Sequence, residues 1–397
     1  MKTKILFITW DGPKTSYMEG LFMPILSKIQ DIGYFEIHVI QFTWGTKERN
    51  EIVEKKAKAL NIKYTGKNIY RKPIATIGSV ITLYKGIKFL RKYISKNQIN
   101  VVMPRSTMPA IMVNRLNKRT FKIVFDADGL PLEERVDFSG LIKSSKQYKF
   151  LKKEESKMLL DADAIITRSK KAISIHKKTI PNSNPEKFSV VLNGRDPEFF
   201  KPNDLVREQI RAELNIQNDT KVFVYCGSLG PQYCWDEMMA IFIRYQQNHH
   251  NSKFLILTSN IEFALKRILD PIKQNIIIKK LPFEEVPKYL SGADIAFAVR
   301  QPKFSMLGVA PIKLGEYLLM GLPTIASAGI GDTEEILKKI PNCFLFDNNS
   351  SESIERAVTF FEGIKEVDKE AIRNYGIEYF SIENSANSYI KALDRLK

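Results

Sequence analysis

Cysteine, histidine and long apolar runs are all scarce in this chain. Its three cysteines, Cys226, Cys234 and Cys343, are odd in number and lack metal-ligand spacing. That excludes a disulfide framework and fits a reducing compartment. The four histidines, His38, His176, His249 and His250, form no ligand spacing either, and none is assigned to catalysis. No apolar run approaches the ~18 residues that a membrane-spanning helix needs. The opening Met1-Lys2-Thr3-Lys4 and Ile5–Ile8 run into Trp10-Asp11-Gly12-Pro13 without a small-residue cleavage site. They read as a first core strand and not as a signal peptide. G-x-G-x-x-G is missing after every candidate first strand, which disfavours an NAD enzyme of the usual doubly wound type, and the absence of Walker A excludes a P-loop NTPase. Short repeats and low-complexity segments are missing as well.

What is present is 397 residues of ordinary globular composition, enough for two or three domains that bury their cores without a metal or disulfide staple. The charge is uneven. Residues 1–200 hold 37 Lys and Arg against 19 Asp and Glu, whereas residues 201–397 hold 24 against 25. One half is thus suited to a polyanion: nucleic acid, an acidic lipid surface or a phosphorylated substrate. No nucleic-acid recognition module accompanies the charge, so nucleic acid is not expected as a partner.

Apolar runs at residues 4–9, 36–42, 100–103, 122–125, 164–166 and 189–192 read as strands with helical patterns between them. The pattern restarts at 222–225, 253–257, 276–278, 295–299, 324–326 and 343–346. Strands alternating with helices predict parallel sheets in an α/β fold. The break falls at the turn-rich stretch Asn193–Asp204. It predicts a first domain over 1–196 and a second over 197–377.

Three segments carry chemistry. In Ala310–Ala326, Pro311 suits the first turn of a helix and Gly321 its C-terminal cap. The preceding loop, Phe304–Val309, is expected to aim backbone N–H groups at a phosphate. Glu316 lies among Leu314, Tyr317 and Leu318, and a carboxylate there needs partners. A pair of vicinal hydroxyls, as on a ribose, would serve. In Val124–Arg135, a strand ends on Asp126-Ala127-Asp128-Gly129, which puts carboxylates where open α/β sheets place ligands. Arg105, after another strand, stands at the same edge and could grip a phosphate or carboxylate bidentately. A helix over Val80–Ile94 shows Val80, Leu83, Ile87, Leu90 and Ile94 as one apolar stripe. Basic and aromatic residues surround it, as they do Lys143–Lys157. Such edges suit a core helix with a solvated back, or contact with anionic lipid.

The Ala310–Ala326 segment resembles the nucleotide-sugar signature of retaining GT-B glycosyltransferases, the group 1 (family 4) type. Other stretches fit in the same order: Val222–Gly230, Val191–Phe200, Ala162–Ser169, Gly292–Ile295, Gly329–Asp332 and, more weakly, Asp11–Pro24. The resemblance implies two Rossmann-like domains facing a central cleft, with the segment 378–397 returning to the first as a helix. It implies transfer of a sugar from a nucleotide diphosphate to a saccharide hydroxyl, with retention and without a metal or other cofactor. In that frame Glu316 holds the donor ribose. The loop Gly227, Ser228, Gly230 and the backbone at Val309, Ala310 and Ile312 hold the diphosphate, and Gly12 belongs to a first-domain loop toward the donor. Many relatives carry a further glutamate where this chain has Gly308, and an arginine where it has Ser228. Lys313, Arg300 and Lys303 are then the cations nearest the departing diphosphate, with Lys313 placed first because it lies inside the motif. Asp128 and Lys313 are the expected catalytic pair, and Arg105, Asp126 and Glu133 the expected acceptor side. Asp126 and Asp128 also have the form of the metal-binding motif of GT-A enzymes, so a metal-dependent transferase is one alternative; a sugar-nucleotide epimerase or hydrolase on the same fold is another. The bacterial surface-polysaccharide look of the subgroup implies O-antigen or capsule synthesis. A lipid-diphosphate-linked acceptor and peripheral attachment to the inner face of the cytoplasmic membrane follow from that look and the basic half.

Overall fold

A computed structural model of the chain describes residues 2–13, 16–116, 120–181 and 183–396. The chain divides into two compact units, residues 1–192 with 382–397, and residues 193–381.

The first unit is a parallel seven-stranded sheet in the order β3-β2-β1-β4-β5-β6-β7. Its strands are β1 Thr3–Asp11, β2 Phe35–Thr43, β3 Lys63–Asn68, β4 Val101–Pro104, β5 Lys122–Asp128, β6 Ala164–Thr167 and β7 Phe188–Val190. Ile5–Ile8 are apolar throughout, and Ile37–Phe42 are buried throughout, His38 and Gln41 included, because helices cover both faces, as parallel sheets require. The second unit repeats the plan with six strands in the order β10-β9-β8-β11-β12-β13. These are β8 Lys221–Cys226, β9 Ser252–Leu257, β10 Ile276–Lys279, β11 Ile295–Ala298, β12 Thr324–Ser327 and β13 Phe344–Phe346. In each sheet the order reverses beside the first strand, between β1 and β4 and between β8 and β11. The crevice outside the carboxyl ends of the strands at such a switch point is where open α/β sheets bind ligands.

Two local expectations are corrected. β3 has no apolar run, since Lys63–Asn68 reads Lys-Tyr-Thr-Gly-Lys-Asn; it pairs only at the outer edge of β2. The basic helix spans Ala75–Asn97 and buries Gly78, Thr82, Gly86, Leu90 and Ile94, while Val80 is 60% exposed. Small residues decide this face. A Cβ on Gly78 would stand 2.1 Å from the Tyr70 carbonyl oxygen, and one on Gly86 2.8 Å from Met112. The helix therefore turns its glycine side inward, where backbones can approach closely. Among the described residues no helix is long and apolar enough to cross a membrane.

Candidate active site

At the carboxyl edge of the first sheet, Arg105 follows β4 and forms a single parallel bridge with Asp126 of β5. The Asp126 carboxylate is wholly buried and accepts hydrogen bonds from four groups. They come from Arg105 Nη1 (2.9 Å), Arg168 Nη2 (2.7 Å), the Tyr389 hydroxyl (3.0 Å) and the Asp128 N–H (3.0 Å). Burial alone would raise its pKa, but Arg168 and Arg105 outweigh burial and hold it below the usual carboxylate range. Arg105 reaches on to Asp128, with Nη2 2.7 Å from Oδ1, and its guanidinium lies over the Phe22 ring. Asp128 has φ +64°, a left-handed conformation that Asp tolerates, and its side chain keeps 35% of its exposure. Nearby, the Asp11 carboxylate accepts from Thr9 Oγ1 (2.7 Å) and Gln41 Nε2 (2.8 Å), and burial raises its pKa. Gly12 follows it, half-buried.

Two acceptor-side expectations are corrected here. Asp126 is 0% exposed and serves as the hub that holds Arg105 and Asp128 in place. Glu133 is buried in the helix Pro131–Ser139, with its carboxylate taken up by Tyr148 (2.6 Å), Lys143 (3.2 Å) and Lys152 (3.5 Å). Nor does the Asp126–Asp128 pair suit a cation as it stands, because two guanidiniums already occupy it. Arg168 and Tyr389 were missed from sequence. Arg168 stands just past β6 as Arg105 stands past β4, which is a readable signal, whereas Tyr389 lies 263 residues from Asp126.

At the carboxyl edge of the second sheet, β8 ends at Cys226 and the chain turns through Gly227 (φ +141°) and Gly230 (φ +156°). A Cβ on Gly227 would lie 2.3 Å from Lys313 Cε. Glycine is thus what lets Lys313, in the first turn of the helix Ile312–Leu319, press against the loop. The Lys313 ammonium bonds the Tyr225 hydroxyl (2.5 Å) and lies about equally over the rings of Tyr225 and Tyr233 (4.2 and 4.0 Å). The Tyr225 hydroxyl in turn donates to the Ser228 carbonyl. Burial, with Arg300 adding repulsion, brings the Lys313 pKa down to about 7. Arg300 shares the Tyr233 ring from 5.1 Å and bonds Gln232 (3.1 Å). Cys226 donates its N–H to the Tyr317 hydroxyl (2.8 Å), which ties strand to helix, and burial pushes its thiol up to about 12. That removes Cys226 as a nucleophile.

Glu316, one turn along the helix from Lys313, is buried and pairs with Arg195 Nε at 2.8 Å. In the sequence Arg195 falls in the turn-rich break and in the matching stretch Val191–Phe200, with no role of its own. Its backbone N–H donates to the Phe380 carbonyl (2.8 Å), and Asn193 Nδ2 donates to the Ala310 carbonyl (3.1 Å). The expectation of a loop of open N–H groups is corrected. Phe304–Gly308 is a 3₁₀ turn, and Val309 donates its N–H to the Met306 carbonyl (3.2 Å). The N–H groups left without an intrahelical partner are those of the helix's first turn, from Ile312 onward. Gly321 caps that helix at φ +66°.

Residues 206–378 match the family model described as Glycosyl transferases group 1. No curated protein sequence matches the chain. Among solved structures, a glycosyltransferase from Rickettsia africae superposes with TM-score 0.72 at 16% identity, covering 100% of this chain and 99% of its own. Anabaena HepE, solved in complex with UDP and glucose, gives 0.69 at 14% identity and covers 99% of both. The lipopolysaccharide outer core galactosyltransferase WaaB gives 0.66 at 16% identity and covers 100% of both. The two parallel α/β units are those of the GT-B fold. With a group 1 domain in its second unit, the chain is a glycosyltransferase.

Proposed function

We propose that this glycosyltransferase moves a sugar from a nucleotide diphosphate to a hydroxyl of a lipid-linked saccharide, with retention of configuration. The setting is assembly of a bacterial surface polysaccharide such as O-antigen or capsule, at the inner face of the cytoplasmic membrane. The observation that carries the donor side is the convergence of Gly227, Lys313 and Glu316 beside the switch point of the second sheet. HepE, similar in fold, is solved with UDP and glucose, which supports a nucleotide diphosphate as the donor's carrier.

The chemistry follows from charge. Glu316, held by Arg195, accepts hydrogen bonds from the ribose hydroxyls. Lys313 and the first turn of its helix meet the diphosphate. As the bond between the anomeric carbon and the phosphate oxygen breaks, negative charge grows on that oxygen. A buried ammonium and fixed N–H groups stabilise it more than water would. The acceptor oxygen attacks from the same face and its proton passes to the leaving phosphate oxygen, so no side-chain nucleophile and no metal are required. On the acceptor side, Arg105 and the partly exposed Asp128 are the groups able to reach a substrate. The basic first half supports an acceptor carried on an anionic surface.

Thermal stabilisation by UDP, GDP, ADP and CMP, each with EDTA and with Mn²⁺, tests this. Stabilisation by one nucleotide in EDTA is expected, and it names the base. Stabilisation only with Mn²⁺ would move the site to Asp126 and Asp128 with their arginines displaced. Consumption of the donor without any acceptor would mark an epimerase or hydrolase.

A further inference from the structure

We infer that the N-terminal half of the helix Ala75–Asn97 is a membrane-contact face that seats in anionic lipid. This rests on the lipid-linked acceptor reading above and names the surface that would serve it. Four large apolar residues, Ile74, Ile77, Val80 and Tyr84, are 59%, 46%, 60% and 60% exposed. At 100° per residue Ile77, Val80 and Tyr84 share one stripe, and the same stripe continues into Lys88 and Arg91. The helix cannot roll to bury them. Gly78 is pressed against the Tyr70 backbone, Gly86 against Met112 and Phe42, and Thr82 Oγ1 accepts the Tyr70 N–H at 2.9 Å.

The surroundings complement an anionic surface. From Lys55 to Phe125 the chain runs 71 residues with 17 Lys and Arg and no Asp or Glu. Lys88 lies over the Tyr84 ring (4.3 Å) and Lys85 over the Tyr70 ring (4.3 Å), placing cations beside amphipathic aromatics. An apolar stripe running into lysines, with tyrosines between, is the pattern of an interfacial helix whose apolar face enters the headgroup boundary. A polyanion such as nucleic acid would use the cations but leave the aliphatic stripe without a partner. Topology adds a location. The helix begins where the chain leaves the carboxyl end of β3, the sheet edge that also carries Arg105 and Asp128. A bilayer at this face would thus lie on the side of the sheet where a lipid-linked acceptor is expected.

The test is co-sedimentation of the full chain with vesicles of phosphatidylcholine alone and of equimolar phosphatidylcholine and phosphatidylglycerol. The wild type is expected on the anionic vesicles only, with binding weakened by salt. Ile77→Asp with Val80→Asp, and separately Lys88→Glu with Arg91→Glu, should each weaken it by about tenfold or more. Leu205→Asp, at an exposed apolar residue of the second unit, should bind as the wild type does. Equal binding to neutral vesicles, wild-type binding by the Ile77/Val80 variant, or salt-sensitive binding to DNA with none to vesicles would overturn the inference. Nucleotide stabilisation measured on the same samples keeps the readings apart. Stabilisation without vesicle binding overturns the face alone, and vesicle binding without stabilisation overturns the donor reading alone.

Discussion

The two units place cations at the carboxyl edges of their sheets and treat them in opposite ways. In the first, Arg105 and Arg168 face Asp126 and Asp128, so two guanidiniums meet two carboxylates and a tyrosine hydroxyl. In the second, Lys313 is buried against tyrosine rings and a hydroxyl, while Glu316, the carboxylate on its helix, is paired with Arg195. The balanced cluster keeps its charges and braces a sheet edge. The unbalanced lysine is pushed toward neutrality and gains from any anion that enters. By this contrast the first cluster is chiefly scaffold with an exposed rim at Asp128, and the second has the charge imbalance that the proposed diphosphate would correct.

Breaking the balanced side should have the largest effect. Asp126→Asn leaves two buried guanidiniums short of a counter-charge and should cost about 3–5 kcal/mol of stability in urea unfolding. A loss under about 1 kcal/mol, the value of an exposed pair, would mean the cluster is not the brace described. On the other side, Glu316→Gln removes a charged acceptor and should weaken nucleotide binding by roughly ten- to a hundredfold in calorimetry, the worth of one such bond. Unchanged affinity in a folded variant would take Glu316 out of the site. Gly227→Ala should act through packing. Its Cβ meets the Lys313 side chain at a backbone angle that L-residues avoid, so a loss of about 1–3 kcal/mol is expected. Gly140→Ala, also at positive φ but with open space around its Cβ, isolates the backbone share of that loss.

Much of the second unit was legible because its chemistry is contiguous. Pro311, Lys313, Glu316 and Gly321 fall on one helix, and Gly227–Gly230 on one turn. The partners that give those residues their properties come from elsewhere in the unit. Arg195 and Tyr225 lie 121 and 88 residues from Glu316 and Lys313. In the first unit the acidic run Asp126–Asp128 looked like a ligand set, but cations from positions 105 and 168 and a hydroxyl from 389 turned Asp126 inward. β3 escaped notice because an outer-edge strand needs little apolar character. The buried face of the basic helix is not legible in its apolar residues, because Gly78 and Gly86, which permit close approach, decide it.

The Lys313 site can be tested through its proton. An unfolded lysine titrates near 10.4, whereas folded Lys313 titrates at about 7. Between those values the unfolded chain holds the extra proton, so this residue's contribution to stability rises with pH from about 7 to about 10. Binding a diphosphate runs the other way, because the ligand favours the ammonium and must recruit that proton above pH 7. The decisive measurement is the affinity for the stabilising nucleotide diphosphate in EDTA at pH 7 and pH 9, for the wild type and Lys313→Met. The wild type should lose roughly ten- to a hundredfold over that interval, and Lys313→Met should bind weakly with little change. A wild-type affinity that stays as flat as that of Lys313→Met would contradict the assignment of Lys313 to the diphosphate.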